Sequence, residues 1–339
     1  MGSLGVGRAV LVRHTGSTTS AATSNGGSTA AAVDQGVVDV NTTLGLQGGR
    51  AAGTGIVLSS SGAVLTNNHV VAGATSVNVT DVGNGRTYAA TVVGTDKTDD
   101  IAVLQLKGAS GLKTVALGNS TKVAVGDAVT AVGNAGGTGG TPSVVTGTVT
   151  GLGQSITASD QGGGSSEQLT GLFETNAPIQ PGDSGGPLVN SSGQVIAIDT
   201  AASSGFRFQS GGSQAFAIPI NQASTIAKQI EAGRSSATVH IGSAAFLGVE
   251  FPASSGSSGG SSSSGALVIG VESGSPAQQA GLTAGDEIVS LGGQTVDSAT
   301  TLSNLMQGNH PGDKVQLGWV DGAGQQHTAS VTLATGPAA

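Results

Sequence analysis

Glycine fills 59 of the 339 positions and cuts the apolar sequence into strand-length runs. That punctuation limits what the chain can build. Runs at 55–58, 63–66, 76–82, 86–94, 101–106, 128–133, 143–151, 194–200 and 214–218 are rich in Val, Ile, Leu and Thr, with Gly and Asn as punctuation. Short strands broken in this way read as β-barrels. One helix is expected at 221–233, with Asn221 as N-cap, Ala223, Ile226, Ala227 and Ile230 on one face, and Gly233 as its stop. Aromatics are 2% of the chain and charged residues 9%, so the core must be built from Val, Ile, Leu and Ala. Cysteine is absent, and packing alone must hold that core. A net charge of −8 without any basic block argues against a nucleic-acid partner. Residues 1–35 are a small-residue head without periodicity, expected to be disordered or loosely attached.

Chemistry concentrates in Gly182-Asp183-Ser184-Gly185-Gly186-Pro187. Glycines on both sides of Ser184 allow a tight turn that presents the hydroxyl, with the N–H groups of Gly182 and Ser184 able to meet a developing oxyanion. A serine hydroxyl needs a base, and the base needs a carboxylate to orient it. Five histidines are available. His14 lies in the head, His240 in an expected connector, and His310 and His327 in a C-terminal segment where they read as ordinary surface residues. His69 alone follows a predicted strand and precedes a short helical turn. A lone histidine there is usually structural, but Ser184 makes it the best base in the chain. Asp99 and Asp100 precede an apolar strand, and Asp100, adjoining it, is the better brace. This chemistry calls for no cofactor and no metal.

With those residues in view, Thr66-Asn67-Asn68-His69-Val70-Val71, Asp100-Ile101-Ala102-Val103-Leu104 and Pro181 through Leu188 resemble the three signature blocks of the HtrA/Deg family of trypsin-like serine proteases. The order His69, Asp100, Ser184 is the chymotrypsin order. Phe246-Leu247-Gly248-Val249, Ser275-Pro276-Ala277, Ala280-Gly281-Leu282 and Gly285-Asp286 resemble the family's PDZ domain. The resemblance spans residues 37–333 and is nearest to the short PepA-like members. It implies a mainly β fold: a chymotrypsin-like double β-barrel of two six-stranded barrels at 36–233, a connector at 234–245, and an α+β PDZ domain at 246–335. The Ser/Gly run at 253–265 is then a long hairpin loop inside the PDZ domain, and that at 155–166 falls in the loop region that family members use as an activation sensor.

The resemblance further implies a serine endopeptidase that cleaves unfolded or damaged polypeptides, with C-terminal apolar peptides captured by Phe246, Leu247, Gly248 and Val249. Ala215-Phe216-Ala217 matches the strand lining the family's substrate cleft. Six positions before the nucleophile, where trypsin carries an aspartate, stands Pro178, flanked by Ala177 and Ile179. A pocket of Pro178, Ile179, Ala215, Phe216 and Ala217 has no charge to bury a cation against, and should accept small or medium aliphatic side chains. Family members act outside the cytoplasm, secreted or at the cell envelope, and this chain reads as a form lacking the export segment. The alternative is a peptide-binding chaperone or scaffold whose protease domain is silent. Three departures stand out: Asp183 where many relatives have Asn, a carboxylate that must be paired or solvated; Asn176 and Pro178 where Asp and Ala are usual; and no aromatic before Tyr88, where the family's trimer contacts generally lie, which leaves an oligomer open.

Overall fold

The computed structural model describes residues 35–45, 49–159, 166–200, 214–252 and 265–337. Most of the expected head, the middle of the 155–166 stretch and nearly all of the 253–265 loop lie outside these residues.

The first barrel is made of β1 (Val37–Leu44), β2 (Gly49–Val57), β3 (Ala63–Thr66), β4 (Ser76–Asp81), β5 (Thr87–Asp96) and β6 (Ile101–Leu106). The sheet runs β5-β4-β1-β2-β3-β6, and β6 pairs back onto β5 to close it. Side chains here alternate strictly only near the rims. Val64, Leu65, Ile101, Val103 and Leu104 are wholly buried, because one strand face fills the barrel and the other meets the neighbouring barrel or the helix. The second barrel is closed by β7 (Ala128–Gly133), β8 (Ser143–Ser159), β9 (Ser166–Thr175), β10 (Pro187–Asn190), β11 (Val195–Thr200) and β12 (Ala215–Pro219) in the order β10-β11-β12-β9-β8-β7. One apolar cluster joins Val37, Leu65 and Val103 of the first barrel to Val132, Val189 and Ile198 of the second.

Helix α2 (Ile220–Glu231) carries Ala223, Ile226, Ala227 and Ile230 on its buried face, as its spacing predicts. Its cap differs from expectation. The helix starts one residue earlier with Pro219 at the N-cap, and Asn221 instead ties it to the barrel loop: its Oδ1 accepts from Ser120 N at 3.2 Å and its N–H donates to Ser120 Oγ at 3.1 Å. The chain then does not leave the barrel. Within the segment expected to be connector, β13 (Val239–Ile241) adds to the edge of β5 in antiparallel register, Val239 opposite Asp96. Gly94 permits this approach, since a Cβ there would lie 2.5 Å from the His240 carbonyl oxygen. His240 is accordingly buried, with Nδ1 2.9 Å from the Gln307 carbonyl oxygen and its ring stacked on His310.

The C-terminal unit has its own core around Leu247, Val268, Ile288, Leu302, Leu317 and Trp319. Strands β16 (Ala266–Leu267), β18 (Glu287–Leu291), β20 (Lys314–Val320) and β21 (Gln326–Thr332) form its main sheet in that order, with β19 (Gln294–Thr295) paired to β18, and two short pairs, β14 (Ala245–Phe246) with β22 (Ala334–Thr335) and β15 (Val249–Glu250) with β17 (Gly270–Val271), complete it. Helix α3 (Pro276–Ala280) is capped by Ser275 Oγ, which accepts from Gln278 N, and α4 (Ala299–Gln307) by Ser298.

Candidate active site

Strand β3 ends at Thr66, and the short helix α1 (Asn68–Val71) lifts His69 to the cleft. Opposite it, Asp100 adopts φ 53°, a left-handed conformation that Asp tolerates better than most residues. That backbone places both ends of the residue on α1. Its carbonyl accepts from Asn68 N and from Asn67 Nδ2, while its carboxylate turns to His69. Oδ1 accepts from the His69 backbone N–H at 3.0 Å, Oδ2 lies 2.9 Å from His69 Nδ1, and Thr200 Oγ1 donates to Oδ2 at 3.0 Å. The carboxylate is thus almost sealed from water at 4% exposure, whereas the imidazole is 37% exposed. A carboxylate fixed on Nδ1 keeps the proton there and reserves Nε2 for the cleft.

The loop bearing Ser184 is stitched to β2 by one residue. Thr54 Oγ1 donates to the Gly182 carbonyl at 2.7 Å and accepts from Asn134 N, and Thr54 N donates to the Ser184 carbonyl at 2.8 Å. Thr66 Oγ1 in turn donates to the Thr54 carbonyl at 2.6 Å. The two barrels meet here. Gly185, at φ 85°, has no room for a side chain, since a Cβ would stand 2.1 Å from the Thr54 oxygen and 2.3 Å from Thr66 Oγ1. Gly53 is wedged between Val70, the neighbour of His69, and the Ser184 carbonyl, 2.7 and 3.1 Å from where a Cβ would stand. Ser184 and the histidine helix therefore share a border. The Pro181 carbonyl accepts from Gly136 N at 2.8 Å, so the Gly182 N–H, on the opposite edge of the same trans peptide plane, points away from residue 136.

Of the expected pocket residues, Pro178 is exposed, Ile179 is half-buried against the core of the second barrel, and Ala215, Phe216 and Ala217 are buried in β12. Asn176 serves the framework: its Oδ1 accepts from Thr148 N at 2.7 Å. Asp183 is buried, accepting from Ser143 Oγ at 2.8 Å and Gln180 N at 2.9 Å. Burial raises its pKa above the ordinary carboxylate value, and those two hydrogen bonds only partly offset the rise. Asp199, the residue before Thr200, is fully buried, and among the described residues neither of its carboxylate oxygens has a hydrogen-bond partner. Burial, and secondarily the nearby Asp183, push its pKa well above the usual range. Sequence reasoning overlooked Thr54, Asp199 and Thr200. The last two carried a signal, being a polar pair that ends an otherwise apolar strand.

In the C-terminal unit, Phe246, Leu247, Gly248 and Val249 line one side of a pocket of about 270 Å³, faced by Leu302 and Met306 of α4. Gly248 takes φ 82° and lies against Ser275.

Two joined six-stranded barrels with this cleft between them, followed by a unit with a helix-walled groove, define a trypsin-like peptidase fold carrying a PDZ domain. Residues 53–198 match the trypsin-like peptidase domain family and residues 245–333 the PDZ domain family. The chain is 36% identical over 321 residues to the serine protease PepD of Mycobacterium tuberculosis, covering 90% of this chain and 65% of PepD. It is 36% identical over 288 residues to the periplasmic pH-dependent serine endoprotease DegQ of Escherichia coli, covering 84% of this chain and 59% of DegQ. Among solved structures, the HtrA-type protease AlgW with tripeptide aligns with TM-score 0.50 and 29% identity, over 92% of this chain and 98% of that one. A serine endoprotease from Yersinia pestis aligns with TM-score 0.51 and 26% identity, over 93% and 99% of the two chains. The chain thus joins a trypsin-like peptidase domain to a PDZ domain and has HtrA/Deg serine proteases as homologues, and it spans 57–65% of the length of the curated relatives it matches.

Proposed function

We propose that this chain is a serine endopeptidase in which Ser184 attacks a peptide carbonyl, His69 takes the hydroxyl proton on Nε2, and Asp100 braces the imidazole. The observation that carries the reading is the double hold on His69, backbone N–H and Nδ1 both on one buried carboxylate that Thr200 also holds. Such a hold fixes tautomer and ring orientation before substrate arrives. The N–H groups of Gly182 and Ser184 bind the tetrahedral oxyanion, each worth about 3 kcal/mol of barrier. An acyl-enzyme forms on Ser184 as the amine leaves with the proton held by His69, and water then releases the acid.

The substrates are unfolded polypeptides, cut after small or medium aliphatic residues. Support for this preference is the uncharged character of Pro178, Ile179, Ala215, Phe216 and Ala217. The PDZ groove captures C-terminal apolar peptides and regulates turnover, a role favoured by the four loop residues that line it. The periplasmic relatives support action outside the cytoplasm.

Fluorophosphonate labelling tests the assignment. The chain should lose its reactivity on Ser184→Ala and on His69→Ala, and casein digestion should stop in both. A folded chain that binds peptide through its groove yet neither labels nor digests would instead be a scaffold with a silent protease domain.

A further inference from the structure

A second concavity adjoins the nucleophile loop. A pocket of about 490 Å³ runs from Asn41 of β1 and Arg50 and Ala52 of β2, past Gly136 and Gly137, to Gly182. Strand register explains its first wall. Asn41 pairs with Ala52 and Thr43 with Arg50, so these residues share one face of the two strands. That face points out of the barrel: Val40 and Thr42 are buried, while Asn41, Thr43 and Arg50 are exposed. Glycine makes the second wall. Gly137 takes φ 65° and lies so near β2 that a Cβ would stand 2.6 Å from that of Ala52, and Gly182, at φ 100°, lies against the Asn134 carbonyl. None of the residues assigned to the acyl-side pocket, Pro178, Ile179 and Ala215 to Ala217, lines this space. A peptide whose acyl side occupies those residues, with its scissile oxygen on the Gly182 N–H, leads its departing side past the other edge of the loop, over residues 136–137 and β2. Arg50 is the one charged residue among the described residues lining the pocket, and Asn41 is the other with a polar side chain. Asp39, next on the same face, is buried against residues 139 and 140 instead.

We propose that Arg50 reads the leaving-group side of the substrate, favouring an Asp or Glu side chain among the first three residues after the scissile bond. The inference rests on the endopeptidase reading above. A guanidinium offers a carboxylate a planar fork of N–H donors, and extended chain advances about 3.3 Å per residue, so three residues cross a pocket of this size. Because Arg50 is exposed, the preference is modest and weakens with salt.

The full chain is assayed on internally quenched peptides with Val before the scissile bond and an amidated C-terminus, so that no terminal carboxylate competes. The first three residues after the bond are all Gln, or carry a single Glu or a single Lys, and mass spectrometry fixes the point of cleavage. In at least one position kcat/KM should favour Glu over Gln by about three- to fivefold at low salt, with Lys last. Arg50→Gln should bring the Glu-to-Gln ratio close to unity, and Arg50→Glu should reverse the order so that the Lys peptide leads. A ratio that Arg50→Gln leaves as in the parent, or a parent that cleaves all the peptides equally, would overturn the role of Arg50 and leave the endopeptidase reading standing. A folded parent that cleaves none of them fails the proposed cleavage after Val, and this inference falls with it.

Discussion

Asp100 does its work through a backbone that few residues would accept. Among the described residues it is the single non-glycine with positive φ, and that strain, about 1–3 kcal/mol, turns its carbonyl and carboxylate toward the same helix. Asp100→Asn keeps the shape but offers an amide where Nδ1 needs an acceptor, so kcat should fall on the order of 10³- to 10⁴-fold with KM little changed. Thr200→Val removes one hydrogen bond to the ionised carboxylate, worth about 1.5–3 kcal/mol, and should lower kcat roughly tenfold or more in the same assay. Asp199 makes a different kind of claim. Its pKa is raised by burial first and by Asp183 second, so the folded chain retains a proton that the unfolded chain gives up above its ordinary value of 3.8. Stability should therefore decline as pH rises from that value through the raised one. Asp199→Asn removes the titration: the variant's thermal midpoint should exceed the parent's at about pH 8 and converge with it near about pH 4. Parallel curves would show that Asp199 does not titrate in that range. Ser184, His69 and Asp100 could be singled out in the sequence because each sits in a dense local motif. Thr54 could not, since its contacts lie 80 and 128 residues away.

At the level of elements, most strands were readable from their own composition, and those at 63–66, 101–106 and 128–133 have the bounds expected. The elements that were missed share a cause. Strand β1 carries Asp39, Asn41, Thr42 and Thr43 among its valines, and β10 begins at a proline, so local composition argued against strands that barrel closure then imposed. Closure also explains why two hydroxyls of the first barrel hold the loop of the second. Thr54→Val keeps the volume and β-branching but forfeits the bond to the Gly182 carbonyl and leaves the Asn134 N–H without its acceptor. Turnover of a reporter peptide should drop by at least about tenfold while urea unfolding shifts by only about 1–3 kcal/mol. Gly185→Ala offers the harsher comparison, since the added methyl would collide with the Thr54 carbonyl. It should abolish fluorophosphonate labelling, and a normally labelling Gly185→Ala chain would contradict the loop geometry.

Over the whole molecule, sequence indicated where each domain's core lies but not where one domain releases the other. The segment after α2 read as a connector because it lies between the helix stop at Gly233 and the expected PDZ loop at Phe246, yet Val239 is 2% exposed and its strand completes the edge of the first barrel. Its long-range partners on β5, Asp96 opposite Val239 and Gly94 opposite Ile241, explain that burial, and no local pattern encodes them. The same segment reaches the turn that bears Asp100: Thr238 Oγ1 donates to Asp96 Oδ2 at 2.9 Å, Asp96 Oδ1 accepts from Asp99 N, and Asp100 N donates to the Lys97 carbonyl. A chain cut after residue 243 therefore keeps both the strand and the clamp on Asp96, whereas one cut after residue 234 loses them. Removing a buried valine and three residues of strand pairing should lower the unfolding free energy of the shorter fragment by about 2–4 kcal/mol in urea. Its turnover should fall as well, because the turn that aims Asp100 has lost its outer support. Equal midpoints and equal turnover in the two fragments would make Val239–Ile241 a tether. A gap confined to the fragment lacking the strand would make it a seventh working strand of the barrel.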